Sequence, residues 1–182
     1  MAAKVDLYDS SYGNYALNAY SEIRVETYGE DYGQTSWVTT AESHEIPKLL
    51  QLSSSSSVLE IGCGSGGYAV HLAKRIGCQL VGLDINAEGV RNAKALAEND
   101  KLGVRVKFEQ CDVSQRLPIE DSAFDAIYSN DVLCHVPRRS QVLSDLRREG
   151  EANFAGVQRF LECVYTLTAE KRLLRFLYTA IK

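Results

Sequence analysis

The chain has 182 residues, of which 45% are hydrophobic, and its formal net charge is −4. This length and composition predict one domain with a sizeable core, and the negative charge argues against a nucleic-acid-binding surface. No apolar run is long enough to span a membrane, and the N-terminus lacks the apolar core of a signal peptide. The five cysteines form no C-x-x-C pair, so we expect reduced thiols in a cytoplasmic protein and no metal site.

The first 40 residues are unusually aromatic. They contain seven of the eleven Tyr and Trp residues of the chain. Such a segment is too apolar to remain disordered, so we expect it to pack over another part of the protein as a lid. A helix is predicted at about residues 40–52, and residues 1–52 are the first predicted region.

Strands and helices alternate from residue 58 onward. Residues 58–61 predict a short buried strand, and the glycine-rich loop after it begins a helix. Further strands are predicted at residues 79–83, 104–108 and 124–129, with a helix at about residues 87–99. This alternation is typical of an α/β protein with a doubly wound, mostly parallel sheet and helices on both faces. Residues 58–148 are the predicted core.

The alternation ends early. A helix is predicted at about residues 140–148 and another within residues 149–169, and the last ten residues, LLRFLYTAIK, favour either a helix or a final strand. A nucleotide-binding sheet normally has more strands after the fourth, so we expect this sheet to be incomplete in its C-terminal half. Either the last ten residues or a second copy of the chain, in a homodimer, would then cover the edge of the fourth strand. Residues 149–182 are thus predicted as a tail packing on the core.

The stretch VLEIGCGSGGYA, residues 58–69, fits two cofactor signatures. Gly62, Gly64 and Gly67 match the G-x-G-x-x-G of dinucleotide-binding folds. Glu60 with Gly62, Gly64 and Gly66 matches the E-x-G-x-G-x-G loop of S-adenosylmethionine-dependent methyltransferases. The glycines alone leave both cofactors open.

Three acidic residues bear on this choice. Asp84 ends the second strand, where a carboxylate can accept hydrogen bonds from ribose hydroxyls in either kind of nucleotide site. Glu60 lies inside an apolar strand, where it would repel a pyrophosphate but tolerate a sulfonium or ammonium group. Asp112 can accept an adenine amino hydrogen while Val113 packs on the ring, although a turn-capping Asp is the alternative.

Four segments, VLEIGCGSGG, LVGLDIN, EQCDV and FDAIYSNDVLCHV, follow one another at regular spacing. With them the chain resembles the class I S-adenosylmethionine-dependent methyltransferases over roughly residues 28–146, and the dinucleotide interpretation loses its support. The resemblance implies a Rossmann-like core that binds S-adenosylmethionine. The implied contacts are the methionine side (Glu60, Gly62, Gly64, Gly66), the ribose (Asp84, Ile85), the adenine (Asp112, Val113) and the floor of the pocket (Asn130).

Within that family, YGEDYGQTSW and SNDVLCH resemble the N-methyltransferases that act on phosphoethanolamine and, more loosely, on sarcosine-type amines. The resemblance implies a small-molecule amine acceptor, with His135 working together with Tyr15 of the lid; Tyr12 is the alternative tyrosine. Asp131 would pair with His135 or with the ammonium group of the acceptor. The alternative for His135 is a capping role between strand and helix, and His44 and His71 are expected to be solvated on helix faces.

The C-terminal part departs from the family. Its members continue after the fourth helix with a K-P-G-G-like turn and further strands, which do not follow Leu146 here, and the tail from Gly150 resembles the extreme C-terminus of longer relatives. Residues 1–137 carry 11 Lys and Arg against 19 Asp and Glu, whereas residues 138–182 carry 9 against 5. We therefore expect a join near residues 146–150, and the rival hypothesis is a methyltransferase variant, shortened or internally deleted, that binds the cofactor but transfers methyl groups poorly.

Overall fold

The computed structural model describes residues 7–36, 39–115, 123–133, 135–137, 142 and 177–181. These residues form one five-stranded sheet with the strand order β3-β2-β1-β4-β5. The strands are β1 (Ser57–Ile61), β2 (Gln79–Asp84), β3 (Val106–Gln110), β4 (Ala126–Asn130) and β5 (Leu177–Ile181).

The first four strands are parallel, and only β5 runs antiparallel. The prediction of a doubly wound, mostly parallel sheet is confirmed. The third strand begins later than predicted, because residues 102–105 form a turn in which the Arg105 N–H donates to the Leu102 carbonyl. Val104 therefore lies outside the sheet and is 93% exposed, so its assignment to the third strand is wrong.

Five helices are present in the described residues: α1 (Leu7–Gly13), α2 (Asn18–Tyr28), α3 (Thr40–Leu49), α4 (Gly67–Ile76) and α5 (Ala87–Asn99). The bounds of α5 agree with the prediction because Asn86 caps its first turn, accepting the N–H groups of Glu88 and Gly89. Helix α3 ends earlier than predicted, since Gln51 adopts a positive φ of 52°.

Alternating side chains of the strands face two apolar clusters, one on each side of the sheet. Helices α3, α4 and α5 cover the first cluster, which includes Val58, Leu80 and Tyr128. Leu59, Leu83 and Ile127 belong to the second cluster, where Leu133 covers them. Of the helix predicted at residues 140–148, the structure describes residue 142 alone, which is helical and buried. The helix predicted within residues 149–169 lies outside the described residues, as does the expected join.

The edge of β4 is covered by β5, which pairs Tyr128 with Thr179 and Asn130 with Leu177 in antiparallel register. This confirms one of the two expected ways to protect that edge: the end of the chain packs against the sheet as a strand. Strand pairing satisfies the backbone groups of β4 that an open edge would expose.

The aromatic N-terminal segment packs on the core, as predicted. Helix α1 contacts α5, and the Asn92 side-chain amide of α5 donates to the Tyr12 carbonyl at 2.9 Å. Among the described residues, no helix is both long enough and apolar enough to cross a membrane.

Candidate functional site

A cleft of about 230 Å³ opens at the carboxyl ends of the parallel strands. It lies where β1 and β4 are neighbours, the point at which the connections of the sheet diverge and ligands bind in open α/β sheets. The N-terminal lid closes its other side. The lining residues are Tyr12, Thr35, Ser36, Gly62, Gly64, Asp84, Ile85, Asn86, Asn130, Asp131, Val132 and His135.

A ligand in the cleft can come close to the backbone of the loop after β1, because the residues that border the cleft there are the glycines Gly62 and Gly64. Gly62 and Gly64 have positive φ values of 76° and 52°, a conformation that side chains other than glycine's rarely adopt. A Cβ on Gly62 would collide with Val132, and one on Gly64 would lie 2.6 Å from the Thr35 hydroxyl. Backbone is therefore the only part of this loop that borders the cleft.

Gly66 and Gly67, the glycines by which the two cofactor signatures differ, do not line the cleft. A Cβ on Gly66 would meet Ala93 and Phe108 in the core. One on Gly67 would collide with the backbone of Gly33 and Gln34. The glycine that completed the dinucleotide pattern is therefore needed for packing of the lid against α4.

Asp84, at the end of β2, is held rigidly. Its two carboxylate oxygens accept the N–H groups of Gly64 and Asn86, each at 2.8 Å. Burial raises the pKa of Asp84, and the backbone hydrogen bonds from Asn86, Gly64 and Ile85 partly offset this. Since a carboxylate offers about four acceptor positions, the group keeps capacity for a ligand hydroxyl.

A row of buried polar groups runs beneath the loop on one face of the sheet: Glu60, Tyr128 and Asn130. Both polar side-chain atoms of Asn130 have no hydrogen-bond partner among the described residues. Burial raises the pKa of Glu60 to about 8; the Tyr128 hydroxyl lowers it and the Asp84 charge raises it further. Of the three, only Asn130 reaches the cleft, and its unsatisfied amide is a strong indication of a polar ligand.

The turn after β4 brings Asp131 and His135 to the same cleft. Asp131 has a positive φ of 56°, and backbone strain of this kind is concentrated at functional sites. The His135 N–H donates to the Val132 carbonyl at 2.8 Å, so the backbone is turned while the His135 side chain stays exposed at the cleft.

The structure places Tyr12, and not Tyr15, on the cleft. Tyr12 is 8% exposed. The Tyr15 hydroxyl instead donates to the Gly33 carbonyl at 3.2 Å, and the Arg24 guanidinium lies 4.9 Å from the centre of its ring. Burial raises the pKa of Tyr15, which keeps this hydroxyl protonated as a donor.

Asp112 and Val113 do not line the cleft among the described residues. Asp112 is exposed and accepts the Ser114 N–H at 2.9 Å, the turn-capping geometry that the sequence left as an alternative. Val113 is buried in the cluster with Leu59 and Leu83.

The histidines on α3 and α4 are only partly exposed, and their rings belong to a stack that the expectation of solvated side chains did not include. The rings of His44 and His71 stack at 5.8 Å, and Tyr32 of the lid stacks on His71 at 4.4 Å. The described residues contain no group of His, Cys, Asp and Glu that could hold a metal ion. Cys63, Cys78 and Cys111 are free thiols; Cys134 and Cys163 lie outside the described residues.

Sequence reasoning missed four residues of the cleft: Thr35, Ser36, Asn86 and Val132. Asn86 was available from the motif LVGLDIN, where it precedes a helix as a capping residue. Thr35 and Ser36 had no local signal, because only the packing of the lid brings them to the strand ends.

Comparison with known proteins places this geometry in a family. A family model described as a methyltransferase domain matches residues 59–149, half of the chain. A sterol 24-C-methyltransferase of Gibberella zeae is 32% identical over 121 residues, which are 66% of this chain and 31% of the relative. Norajmaline N-methyltransferase of Rauvolfia serpentina is 33% identical over 92 residues, which are 50% of this chain and 31% of the relative.

Among solved structures, the cyclase SpnF superimposes with a TM-score of 0.58 at 25% identity, covering 68% of this chain and 45% of that one. The chain spans about a third of the length of the two curated relatives. The matched residues include the glycine loop, the carboxylate at the end of β2 and the turn after β4, so the chain belongs to the class I S-adenosylmethionine-dependent methyltransferases.

Proposed function

We propose that this chain binds S-adenosylmethionine in the cleft and transfers its methyl group to a small-molecule amine. The observation that carries the proposal is that one cleft gathers both kinds of group. The glycine loop, Asp84 and Asn130 are suited to a nucleoside with an amino-acid tail, and Asp131, His135 and Tyr12 are suited to an amine.

The residues of the cleft fit the cofactor. The loop of Gly62 and Gly64 presents backbone where a side chain would block close approach. Asp84 keeps acceptor capacity for the ribose, with Ile85 beside it, and the amide of Asn130 has both a donor and an acceptor to offer. In this proposal Glu60 and Gly66 support the loop from the core. Asp112 and Val113 remain proposed for the adenine.

When bound, the cofactor supplies an activated methyl group on a positively charged sulfur. The protein then has to align the acceptor with that carbon and exclude water. An amine must also lose its proton before it can attack. A neutral imidazole at His135 can accept that proton, the Tyr12 hydroxyl can orient the nitrogen, and Asp131 attracts the ammonium form.

Support for an amine comes from the segments around the cleft, which resemble N-methyltransferases at residues 28–37 and 129–135. Relatives of similar identity are named for methylation at carbon and at nitrogen, so the choice of an amine depends on the residues of the cleft and not on these names.

The free thiols of Cys63, Cys78 and Cys111 support the proposed cytoplasmic location. We also retain the proposed division of the chain into residues 1–52, 58–148 and 149–182.

A second candidate is a protein that binds the cofactor but transfers methyl groups weakly or not at all. The observation in its favour is the direct antiparallel pairing of β5 with β4, where the family has further strands that help to form the acceptor side. The likeness to the cyclase SpnF also agrees with the general rule that one fold hosts several chemistries.

Calorimetric titration with S-adenosylhomocysteine, with NAD as the control ligand, tests the cofactor. We expect saturable binding of the former and none of the latter; tight NAD binding without a response to S-adenosylhomocysteine would contradict the proposal. A methyl-transfer screen over amines, phosphoamines and phenols then separates the two candidates. Turnover of an amine supports the first, and binding without any transfer supports the second.

A further inference from the structure

An arginine anchors the second helix of the lid. Among the described residues of α2, Arg24 alone is buried, at 9% exposure, although arginine is rarely buried without a specific partner. Ile23 and Val25 beside it are about half exposed. The helix therefore attaches to the rest of the protein through a charged group and not through an apolar stripe.

The partner of Arg24 is Asp31. Its Nε and a second guanidinium nitrogen donate to the two carboxylate oxygens at 2.7 and 3.2 Å, the fork geometry that lysine cannot reproduce. Asp31 also accepts the Ser21 hydroxyl and the Gly33 N–H. These hydrogen bonds outweigh burial, so the pKa of Asp31 is lowered.

Asp31 belongs to the segment that reaches the cleft, residues 29–36, which we call the strap. Two hydrogen bonds hold Gly33 near the middle of the strap: the Gly33 N–H donates to Asp31, and the Gly33 carbonyl accepts the Tyr15 hydroxyl. The ring of Tyr15 in turn packs against the Arg24 guanidinium. The backbone of Gly33 and Gln34 then packs directly on Gly67 at the start of α4. Two residues further on, Thr35 and Ser36 line the cleft.

We propose that Arg24 is a positioning residue for methyl transfer, holding the strap against the glycine loop through Asp31 and Tyr15. Arg24 does not line the cleft, so it acts only through these partners. The proposal rests on the proposed function for its effect on catalysis, but its effect on the strap is independent of any ligand.

The test compares Arg24→Met with the matched control Arg91→Met, which removes an arginine paired with Glu88 on the exposed face of α5. Amide hydrogen exchange of the ligand-free protein is measured first. We expect faster exchange of strap residues in Arg24→Met, no change in β1 to β4, and no change anywhere in the control. Equal exchange of the strap in both variants overturns the proposal, as does faster exchange throughout the sheet.

The second measurement is affinity for S-adenosylhomocysteine. If the strap is closed in about a tenth of the Arg24→Met molecules, the apparent Kd rises about tenfold, while Arg91→Met keeps the original value. Asp31→Asn retains an acceptor for the Gly33 N–H but loses the charge, so it is the milder variant. Its apparent Kd should lie between those of Arg24→Met and Arg91→Met. Arg24→Lys should not restore the affinity, because the fork is lost; full restoration would overturn the role of the bidentate pair.

Failure of the proposed function gives a different result. In that case S-adenosylhomocysteine does not bind the unmodified chain, whereas the exchange measurement still decides whether Arg24 holds the strap.

Discussion

The two sides of the cleft are built in different ways. On the sheet side, Gly62, Asp84 and Asn130 follow directly from strand ends, so their positions are fixed by the register of β1, β2 and β4. On the lid side, Tyr12, Thr35 and Ser36 come from helices and a strap attached through polar contacts. The sheet side is therefore a rigid platform, whereas the lid side depends on a few separate interactions that single substitutions can remove.

The largest effect is expected at His135, which belongs to the sheet side but faces the acceptor. His135→Ala should lower kcat by about 10²-fold or more, because the amine loses its proton acceptor. Affinity for S-adenosylhomocysteine should stay unchanged, as the control measurement. Normal turnover in this variant would reduce His135 to a capping residue.

Asp84→Ala tests the platform itself. It should weaken cofactor binding by about 2 to 3 kcal/mol, as for removal of a charged acceptor from ligand hydroxyls. The measurement is calorimetric titration with S-adenosylhomocysteine, after circular dichroism has confirmed the fold. Unchanged affinity in a folded variant would mean that the nucleoside binds elsewhere.

Substitutions of the two lid tyrosines, Tyr12 and Tyr15, should affect different kinetic parameters. Tyr12→Phe removes a hydroxyl at the cleft, so we expect kcat to fall about tenfold, the value of one hydrogen bond made in the transition state. Tyr15→Phe removes the donor to Gly33 and should instead raise the KM for S-adenosylmethionine by about threefold. The reverse assignment would restore Tyr15 as the tyrosine that acts with His135.

Glu60 predicts how the sheet side responds to pH. Its folded pKa of about 8 lies above the ordinary value of 4.5, so the folded state holds the proton more tightly than the unfolded state. The stability from this group is complete below about pH 4.5 and is lost as pH rises to about 8, with a slope of up to about 1.4 kcal/mol per pH unit. Denaturant unfolding of Glu60→Gln should show a stabilised protein at pH 8 and a smaller gain at pH 5. An equal gain at both pH values would contradict the raised pKa.

On the lid side, the pKa of His71 predicts that stability falls as pH is lowered, the opposite of the pH dependence that Glu60 predicts. This is the smallest of the expected effects. Burial lowers the pKa of His71, as do His44, Arg75 and Lys74, while Glu30 opposes them. Its contribution is complete above the ordinary value of 6.5 and is lost as pH falls through and below that value. His71→Phe keeps a ring under Tyr32 without a titrating group. The protection of strap amides, corrected for the intrinsic pH dependence of exchange, should therefore no longer fall on acidification in this variant. A fall in protection equal to that of the unmodified chain would assign the effect to other groups.

The sequence predicted part of the platform, because the signals for that part are local; Glu60, Gly66, Asp112 and Val113 were also assigned to the cofactor but do not line the cleft among the described residues. The glycine loop, Asp84 at the end of β2 and the turn containing Asp131 and His135 each follow a short apolar strand, and parallel strands bring such ends to one edge. The lid was predicted only as an aromatic segment that packs on the core. Which tyrosine faces the cleft, and that Thr35 and Ser36 line it, depends on contacts between residues distant in sequence, such as Asn92 with Tyr12.

The sequence by itself thus determined the fold class and part of the sheet side of the cleft, because strand periodicity and motif order encode positions along one edge. It indicated the family through the resemblance of four motifs. The tertiary structure decided the rest. Gly67 proved to be a packing glycine under the strap, the final strand closed the sheet on β4, and Arg24 was buried where a helix would ordinarily present an apolar side chain. Each of these depends on which distant backbone or charge lies opposite, and that is settled only when the chain folds and buried polar groups have to find partners.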